Sequence, residues 1–167
     1  MGAINPGPMR DGEVRALTIR GESIDSRVAL ELIGALNTEL SQRYPEPGAT
    51  HFRLNRDEVA PGRGAFVVAY WEGEPIGCGA LRRLDAHTAE LKRMFVSPPH
   101  RGRRVGRALL ATLEAEARVL GVARLVLETG IRQPEAIALY ERAGFRRIPA
   151  FGEYVESPLS VCMAKEL

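Results

Sequence analysis

The sequence predicts one α/β domain in which a mixed β-sheet is flanked by helices. The chain has 167 residues, of which 45% are hydrophobic and 26% charged, so it can bury one core without disulfides or metals. Strand patterns predominate early, and the order β-α-β-α-β follows. We expect residues 1–12 to form a flexible tail and residues 13–167 to form the domain.

Composition argues against several functional classes. No run of about eighteen apolar residues occurs, and no basic segment followed by an apolar one stands near residue 1, so we expect neither a membrane span nor a secretion signal. Cys78 and Cys162 are too few for a disulfide framework, which favours a reduced, cytoplasmic setting. His51, His87 and His100 lack metal-ligand spacing, so we expect no metal. A net charge of only +2 argues against nucleic acid as the main partner.

The first elements are a strand and an amphipathic helix. Residues 13–19 alternate between apolar and polar side chains, which is typical of a strand. Asp25 or Ser26 is a suitable N-cap, and apolar residues then recur every three or four positions until Tyr44-Pro45 ends the helix.

The next segment predicts a loop and a hairpin. Residues 45–64 are rich in proline, glycine and charge, with a short helical turn expected near residues 57–59. Strands over 65–71 and 76–84 flank a turn. The small residues Gly77 and Gly79 in the second of these strands favour close packing there.

The centre of the chain is a strand that leads through a Gly/Arg-rich loop into a helix. The strand covers residues 90–96 and the loop residues 101–106. Helical spacing is carried by Val105, Leu109, Leu113, Ala117 and Leu120, and Gly121 suits a left-handed C-cap. First-turn N–H groups and the helix dipole attract anions, and four arginines surround this N-terminus: Arg101, Arg103, Arg104 and Arg107. The stretch therefore predicts a phosphate-binding loop, with a solvated basic turn as the alternative.

The C-terminal part continues the alternation of strands and helices. A buried strand is expected over 124–128, a helix from Pro134 to a stop at Gly144, and closing strands over 145–148 and 160–165. The two closing strands are separated by a loop over Pro149–Pro158.

Residues 101–106 resemble the acyl-CoA pyrophosphate loop of the GNAT N-acetyltransferases, Gln/Arg-x-x-Gly-x-Gly/Ala. Arg101 and Gly106 match the outer positions, whereas Arg104 stands at the inner glycine. The strand ending Arg93-Met94-Phe95-Val96 and the later block over 125–145, with its Leu-Tyr-x-x-x-Gly-Phe ending, also resemble this family. The resemblance covers about half of the chain.

The resemblance implies a mostly antiparallel sheet that splays at the site of acetyl-CoA, the acyl donor. It implies donor contacts from the strand end, the loop and the next helix: Met94, Phe95, Val96, Arg101, Gly102, Arg103, Arg104, Val105, Gly106, Arg107, Gln133 and Ala136. Backbone N–H groups around Phe95 and Val96 are implied as donors to the thioester oxygen.

Transfer to an amine requires a base, because an alkyl amine with a pKa of about 10.4 is mostly protonated at pH 7. Neutralising it costs roughly 4–5 kcal/mol, and a positioned carboxylate can accept the proton. Glu90 and Glu128 are the candidates, since each lies on a strand that flanks the loop. The family often has a glutamate at the position of Glu90, so the resemblance favours Glu90 over Glu128 as the base. By the same resemblance, Tyr140 occupies the position of the family's usual general acid.

The acceptor pocket is expected between residues 45–64 and the loop over Pro149–Pro158. That loop carries Phe151, Glu153 and Tyr154, which are suited to an amine that is cationic or partly apolar. Solvated carboxylates and aromatic side chains that cover a sheet edge are the alternative.

The favoured function is an acetyl-CoA-dependent N-acetyltransferase acting on a primary amine of a small molecule or peptide. A catalytically idle acyl-CoA-binding domain and, less favoured, a nucleic-acid-binding module are the alternatives. Homodimerisation is left open, and the sequence does not identify the acceptor.

Overall fold

A computed structural model describes residues 16–51 and 53–167. These residues form seven strands and three α-helices. The strands are β1 (Leu17–Gly21), β2 (Gly64–Trp71), β3 (Glu74–Arg83), β4 (Thr88–Val96), β5 (Arg124–Gly130), β6 (Arg146–Ile148) and β7 (Ser160–Glu166). The helices are α1 (Arg27–Arg43), α2 (Val105–Val119) and α3 (Pro134–Arg142).

The strands form one sheet in the order β1-β2-β3-β4-β5-β7-β6. Among these described strands, β4 and β5 pair in parallel and the other neighbours are antiparallel. The expected mixed, mostly antiparallel α/β sheet is therefore confirmed. The predicted tail and the first residues of the predicted strand over 13–19 lie outside the described residues.

Helices cover both faces of the sheet. Ser26 accepts a hydrogen bond from the Ala29 amide and so caps α1, whose apolar stripe includes Leu32 and Leu36. This stripe packs on one face of the sheet, against side chains such as Val68. The opposite face carries the larger core, formed with α2 and α3. Alternation along β4 places Leu91 in this larger core, so Glu90 and Lys92 point to the α1 face.

A β-bulge bends β4 before it reaches the loop. Ala80 pairs with Lys92 and Cys78 with Phe95, so one residue of β3 opposes two of β4. Arg93 takes a positive φ of 59° at this point. A Cβ on Gly79 would lie 2.7 Å from the Met94 sulfur, so this glycine allows the bulged strand to pack closely.

The parallel pair β4–β5 separates halfway along its length. Its register runs from Thr88↔Arg124 to Leu91↔Leu127, and both strands continue beyond that point. The sheet is therefore splayed, as the family resemblance implies, and the gap opens toward the loop before α2. No helix in residues 16–51 or 53–167 is long and apolar enough to cross a membrane.

Element boundaries agree with the sequence to within two residues, apart from the first strand. β5 extends to Gly130 rather than stopping at residue 128, and β4 begins at Thr88. The expected turn near residues 57–59 is a 3-10 turn over Arg56–Val59. Gly121 has the predicted positive φ, 76°, and follows Leu120, the C-cap of α2.

Candidate active site

A large groove lies between the second half of α1, the end of β4 and the N-terminus of α2. Its volume is about 1070 Å³, and α3 closes one side. Of the predicted donor contacts, eleven line it: Met94, Phe95, Val96, Arg101, Gly102, Arg104, Val105, Gly106, Arg107, Gln133 and Ala136. Arg103 is not in the lining, and its guanidinium lies 5.0 Å from the ring centre of Trp71.

The N-terminus of α2 opens into this groove. No side chain caps it, so its first-turn amides are available to an anion. Arg104 adopts φ 62° and ψ 18°, the left-handed conformation that a glycine takes readily. The arginine at the inner glycine position therefore keeps a glycine-like backbone, at a cost of roughly 1–2 kcal/mol.

Arg101 braces the loop instead of pointing freely into the groove. Its two terminal nitrogens bond both oxygens of Glu39 at 2.9 and 2.8 Å, and its Nε donates to the Val96 carbonyl at 2.8 Å. This fork connects α1, the end of β4 and the loop. The strand end and the helix N-terminus are thereby held in fixed relation.

A second, smaller cavity of about 110 Å³ lies in the gap between β4 and β5. Its walls are mostly polar and include His51, Lys92, Arg93, Glu128, Thr129 and Tyr154. The groove and the cavity share five lining residues: Leu36, Met94, Gln133, Ala136 and Tyr140. The two spaces therefore meet at the splay of the sheet.

Glu128 lines the small cavity from β5. The Ser160 hydroxyl donates to its Oε1 at 2.8 Å. Burial raises the pKa of the Glu128 carboxyl, while the Ser160 hydrogen bond and the nearby His51 and Lys92 act in the opposite direction. A carboxylate with a raised pKa is a better proton acceptor near neutral pH than an exposed one.

Glu90 is differently placed, although it lies two residues from Lys92 on the same strand. Its side chain is 1% exposed, and it lines neither space. Arg82 binds its Oε1, with Nε at 2.9 Å, and the Tyr154 hydroxyl donates to its Oε2 at 2.6 Å. Both oxygens of Glu90 are therefore engaged behind the cavity wall, and its connection to the cavity runs through Tyr154.

Lys92 and Tyr154 form the wall between Glu90 and the cavity. The Lys92 ammonium donates to the Tyr154 hydroxyl at 3.1 Å and lies 3.4 Å from Glu153 Oε1. Burial, and then the Glu90 carboxylate, raise the pKa of the Tyr154 phenol, so it remains protonated. Phe151 packs edge-on against the Tyr154 ring at 5.3 Å.

Of the predicted acceptor residues, only Tyr154 lines the small cavity; Phe151 and Glu153 support it from behind. The other predicted wall contributes three consecutive residues, Ala49, Thr50 and His51.

Tyr140 stands at the junction of the two spaces. It is buried, lines both and packs against Phe145 with ring centres 5.8 Å apart. Burial and the nearby Glu128 carboxylate raise the pKa of its phenol, so the hydroxyl keeps its proton at any ordinary pH.

Sequence reasoning missed several residues of the small cavity. Lys92 and His51 have no recognisable spacing in the sequence, and the sequence pattern indicates Tyr44 only as the end of a helix. The Tyr44 hydroxyl accepts from the Arg132 amide at 2.9 Å, and a Cβ on Gly130 would lie 1.8 Å from it. The feature that places Lys92 and Glu128 at the cavity is the strand register, in which they are the first residues beyond the last β4–β5 pair, and no local sequence pattern shows that register. Within the described chain, no group of three or more His, Cys, Asp or Glu residues could hold a metal ion.

Comparison with known proteins agrees with this architecture. The model of the acetyltransferase (GNAT) family matches residues 31–145. An IAA acetyltransferase from Azospirillum brasilense is 39% identical over 152 residues, which cover 90% of this chain and 98% of the relative.

Solved structures extend the comparison to three dimensions. A protein from Klebsiella pneumoniae, assigned to the acyl-CoA N-acyltransferases, is 36% identical with a TM-score of 0.79, covering 90% of this chain and 97% of its own. A GNAT acetyltransferase from Elizabethkingia anophelis, solved with acetyl-CoA bound, shares the fold at 21% identity and a TM-score of 0.65, covering 92% of this chain and 99% of its own. The chain therefore belongs to the acetyltransferase (GNAT) family and is an N-acetyltransferase.

Proposed function

We propose that the protein transfers an acetyl group from acetyl-CoA to a primary amine by direct attack of the amine on the thioester. The observation that carries this proposal is the meeting of two unlike spaces at Tyr140, Met94 and Ala136. The groove, with its open helix N-terminus, suits a long phosphorylated donor. The small polar cavity suits the amine.

The fit of the donor rests on the loop and the helix that follows it. Gly106 lies in the first turn of α2, and a Cβ there would approach the Leu139 side chain to 3.2 Å, which leaves little room between α2 and α3. The uncapped amides and Arg107 supply the positive potential that a pyrophosphate requires. The Elizabethkingia structure, with its bound acetyl-CoA, supports the same donor for this fold.

We assign the base to Glu128 in preference to Glu90. Glu128 lines the cavity and has a raised pKa, whereas both oxygens of Glu90 are occupied by Arg82 and Tyr154. Glu128 accepts a proton from the acceptor ammonium, directly or through water, and leaves the nitrogen lone pair free to attack.

The remaining steps use the splayed strand and Tyr140. Attack forms the C–N bond, and the thioester oxygen becomes negative. The backbone N–H of Ser97 donates to the Ile76 carbonyl on β3. Because successive amides of a strand point to opposite sides, the N–H of Val96 points toward the gap, where it stabilises the thioester oxygen. The C=O bond re-forms as the C–S bond breaks, and the sulfur leaves with the bonding electron pair and takes the Tyr140 hydroxyl proton. The second proton of the attacking nitrogen passes through water to the Tyr140 phenolate, and Glu128 releases its proton to solvent, which restores both groups.

The test combines donor binding with turnover. Acetyl-CoA at 100 times its dissociation constant should raise the free energy of unfolding by about 2.7 kcal/mol, measured by thermal denaturation. A panel of primary amines should then release CoA, detected with a thiol reagent. Stabilisation without CoA release from any amine would indicate an idle acyl-CoA-binding domain. Absence of stabilisation at saturating acetyl-CoA would contradict the assigned donor.

A further inference from the structure

The acceptor cavity carries side chains of opposite charge on its two strands. Leu91 and Leu127 form the last β4–β5 pair, and the next residues on the two strands are Lys92 and Glu128. Both line the cavity, one from each side of the gap. An ammonium and a carboxylate therefore face the same small space.

The charges that line the cavity are mainly positive. The cations Lys92 and Arg93 line it beside the His51 ring, whereas Glu128 is its one lining carboxylate among the described residues. The Arg93 guanidinium donates to the Asn37 side chain.

Neighbouring carboxylates lie outside the cavity lining. Arg82 binds Glu90 and Glu58 behind the wall, and Glu153 contacts Lys92 at 3.4 Å with 37% of its own side chain exposed. Among the described residues, the ionic partner of the Lys92 ammonium is therefore Glu153, at a long and partly solvent-exposed contact, and Lys92 also lines the cavity.

His51 supplies a second polar group of the cavity wall that lacks a hydrogen-bond partner among the described residues. Its Nε2 is buried and has no hydrogen-bond partner among the described residues. The ring packs edge-on against Tyr154, with centroids 4.9 Å apart, which holds it in the cavity wall. A buried nitrogen without a partner costs free energy, and in the tautomer with its proton on Nε2 the ring would donate to an oxygen of a bound ligand and remove that cost.

We infer that the acceptor is a small amino acid, an amine that also carries a carboxylate. The carboxylate binds Lys92 and His51, and the amine lies beside Glu128; this inference rests on the acetyl transfer proposed above. The cavity, of about 110 Å³, is small beside the donor groove of about 1070 Å³, so an acceptor with a short side chain fits it most readily.

The test uses acceptor pairs that differ only at the carboxylate: glycine with glycinamide, alanine with alaninamide, and β-alanine with its amide. Rates of CoA release are compared as kcat/KM per unprotonated amine, because the amide lowers the pKa of the neighbouring amine. The carboxylate member of each pair should be favoured by about tenfold or more, as expected for a charge-assisted contact.

Two variants test whether His51 and Lys92 cause the preference for an acceptor that carries a carboxylate. His51→Leu and Lys92→Met should each reduce the carboxylate preference to within about threefold, while acetyl-CoA still stabilises the protein. His87→Leu is the matched control, because His87 is exposed in the β3–β4 turn, away from both spaces; it should keep the full preference.

A competition experiment serves if Lys92→Met does not fold. Propionate, which has the carboxylate but no amine, should raise the KM for the acceptor, and propionamide at the same concentration should not. Equal turnover of the acids and their amides, with normal acetyl-CoA stabilisation, would overturn the inference and leave the acetyltransferase assignment intact. Loss of acetyl-CoA stabilisation in the wild type would overturn both.

Discussion

The donor groove and the acceptor cavity are built in different ways. The walls of the groove come from α1, α2 and α3, but the part of it that suits an anion is one short contiguous stretch, residues 101–107, whose backbone presents helix N-terminal amides. The cavity collects side chains from α1, β4, β5, α3 and two loops, between Leu36 and Leu159. A site formed by the backbone of one short segment can be predicted from the local sequence. A site formed by side chains that are distant in the sequence depends on the register of the strands that carry them.

The same difference sets how sensitive each region is to substitution. The loop arginines are exposed, so each contributes a screened and modest interaction. The groups around the cavity are buried and bonded to one another, and removing one partner of a buried polar pair is costly. Single substitutions in the cavity should therefore have larger effects than single arginine replacements in the loop.

The largest effect is expected from Glu128→Gln. Activity at neutral pH should fall by about 10²- to 10⁴-fold and recover partly as the pH rises, because the amine then loses its proton without help. Acetyl-CoA affinity should be unchanged. Measurement of kcat/KM from pH 6 to pH 10 checks this, with Glu90→Gln in parallel. If only Glu90→Gln shows the pH signature, the proton leaves through Tyr154 and Glu90 instead.

The same Glu128→Gln variant should change the pH dependence of stability. The folded pKa of Glu128 lies above its unfolded value of about 4.3, so the wild type loses stability as the pH rises through the folded pKa. Glutamine does not ionise, so the variant should gain in melting temperature over the wild type between pH 4 and pH 8. A constant difference across that range would mean that burial does not penalise this carboxylate.

Gly106→Glu should abolish donor binding while leaving the acceptor cavity intact. The new side chain meets Leu139, and its charge opposes a pyrophosphate at the helix N-terminus. We expect acetyl-CoA to stabilise this variant no longer. We also expect kcat/KM to fall by at least about a hundredfold, which corresponds to a loss of about 3 kcal/mol of binding free energy. Gly34→Glu on α1 is the control, because no heavy atom lies within 4 Å of a Cβ there. Normal donor binding by a folded Gly106→Glu protein would place the donor elsewhere.

Tyr140→Phe tests the junction between the two regions. A thiolate is a fair leaving group, since a thiol pKa is about 8.5, so loss of the acid should cost only about 10- to 100-fold in kcat. Because the pKa of Tyr140 is raised, the wild type should not lose activity below pH 10 through its ionisation. Tyr70→Phe is the control, as Tyr70 bonds Glu22 outside both spaces. An unchanged kcat in Tyr140→Phe would leave Tyr140 with a packing role.

The smallest effect is expected from Arg104→Gly. Glycine relieves the left-handed strain at φ 62° but loses more conformational entropy on folding, so the free energy of unfolding should change by less than about 1 kcal/mol. Acetyl-CoA affinity should change by less than about threefold, because the amides provide the site. Chemical denaturation and a binding titration measure both. A large loss of affinity would mean that the Arg104 side chain, and not the backbone, holds the donor.

Much of the fold could be predicted from the sequence because the interactions that determine it act between residues close together in the chain. The Ser26 cap, the proline after Tyr44 and the apolar spacing from Val105 each act over a few residues, and the corresponding elements appear where they were expected. The bulge at Arg93 was not predicted, because it depends on Gly79 of a neighbouring strand. Lys92 gave no signal either, since its place beside the cavity follows from where β4 leaves β5.

By itself the sequence determined the phosphate-type loop and the two candidate carboxylates, because hydrogen bonding, dipoles and side-chain chemistry at those positions are local properties. The role expected of Tyr140 came from the resemblance to the GNAT family. Only the tertiary structure decided which carboxylate faces the cavity. Glu90 and Glu128 are equivalent as residues on adjoining strands, but Arg82 and Tyr154 close around Glu90, whereas the separation of β4 from β5 exposes Glu128 to the gap. That outcome depends on contacts between residues 8 to 64 positions apart, which no local pattern encodes.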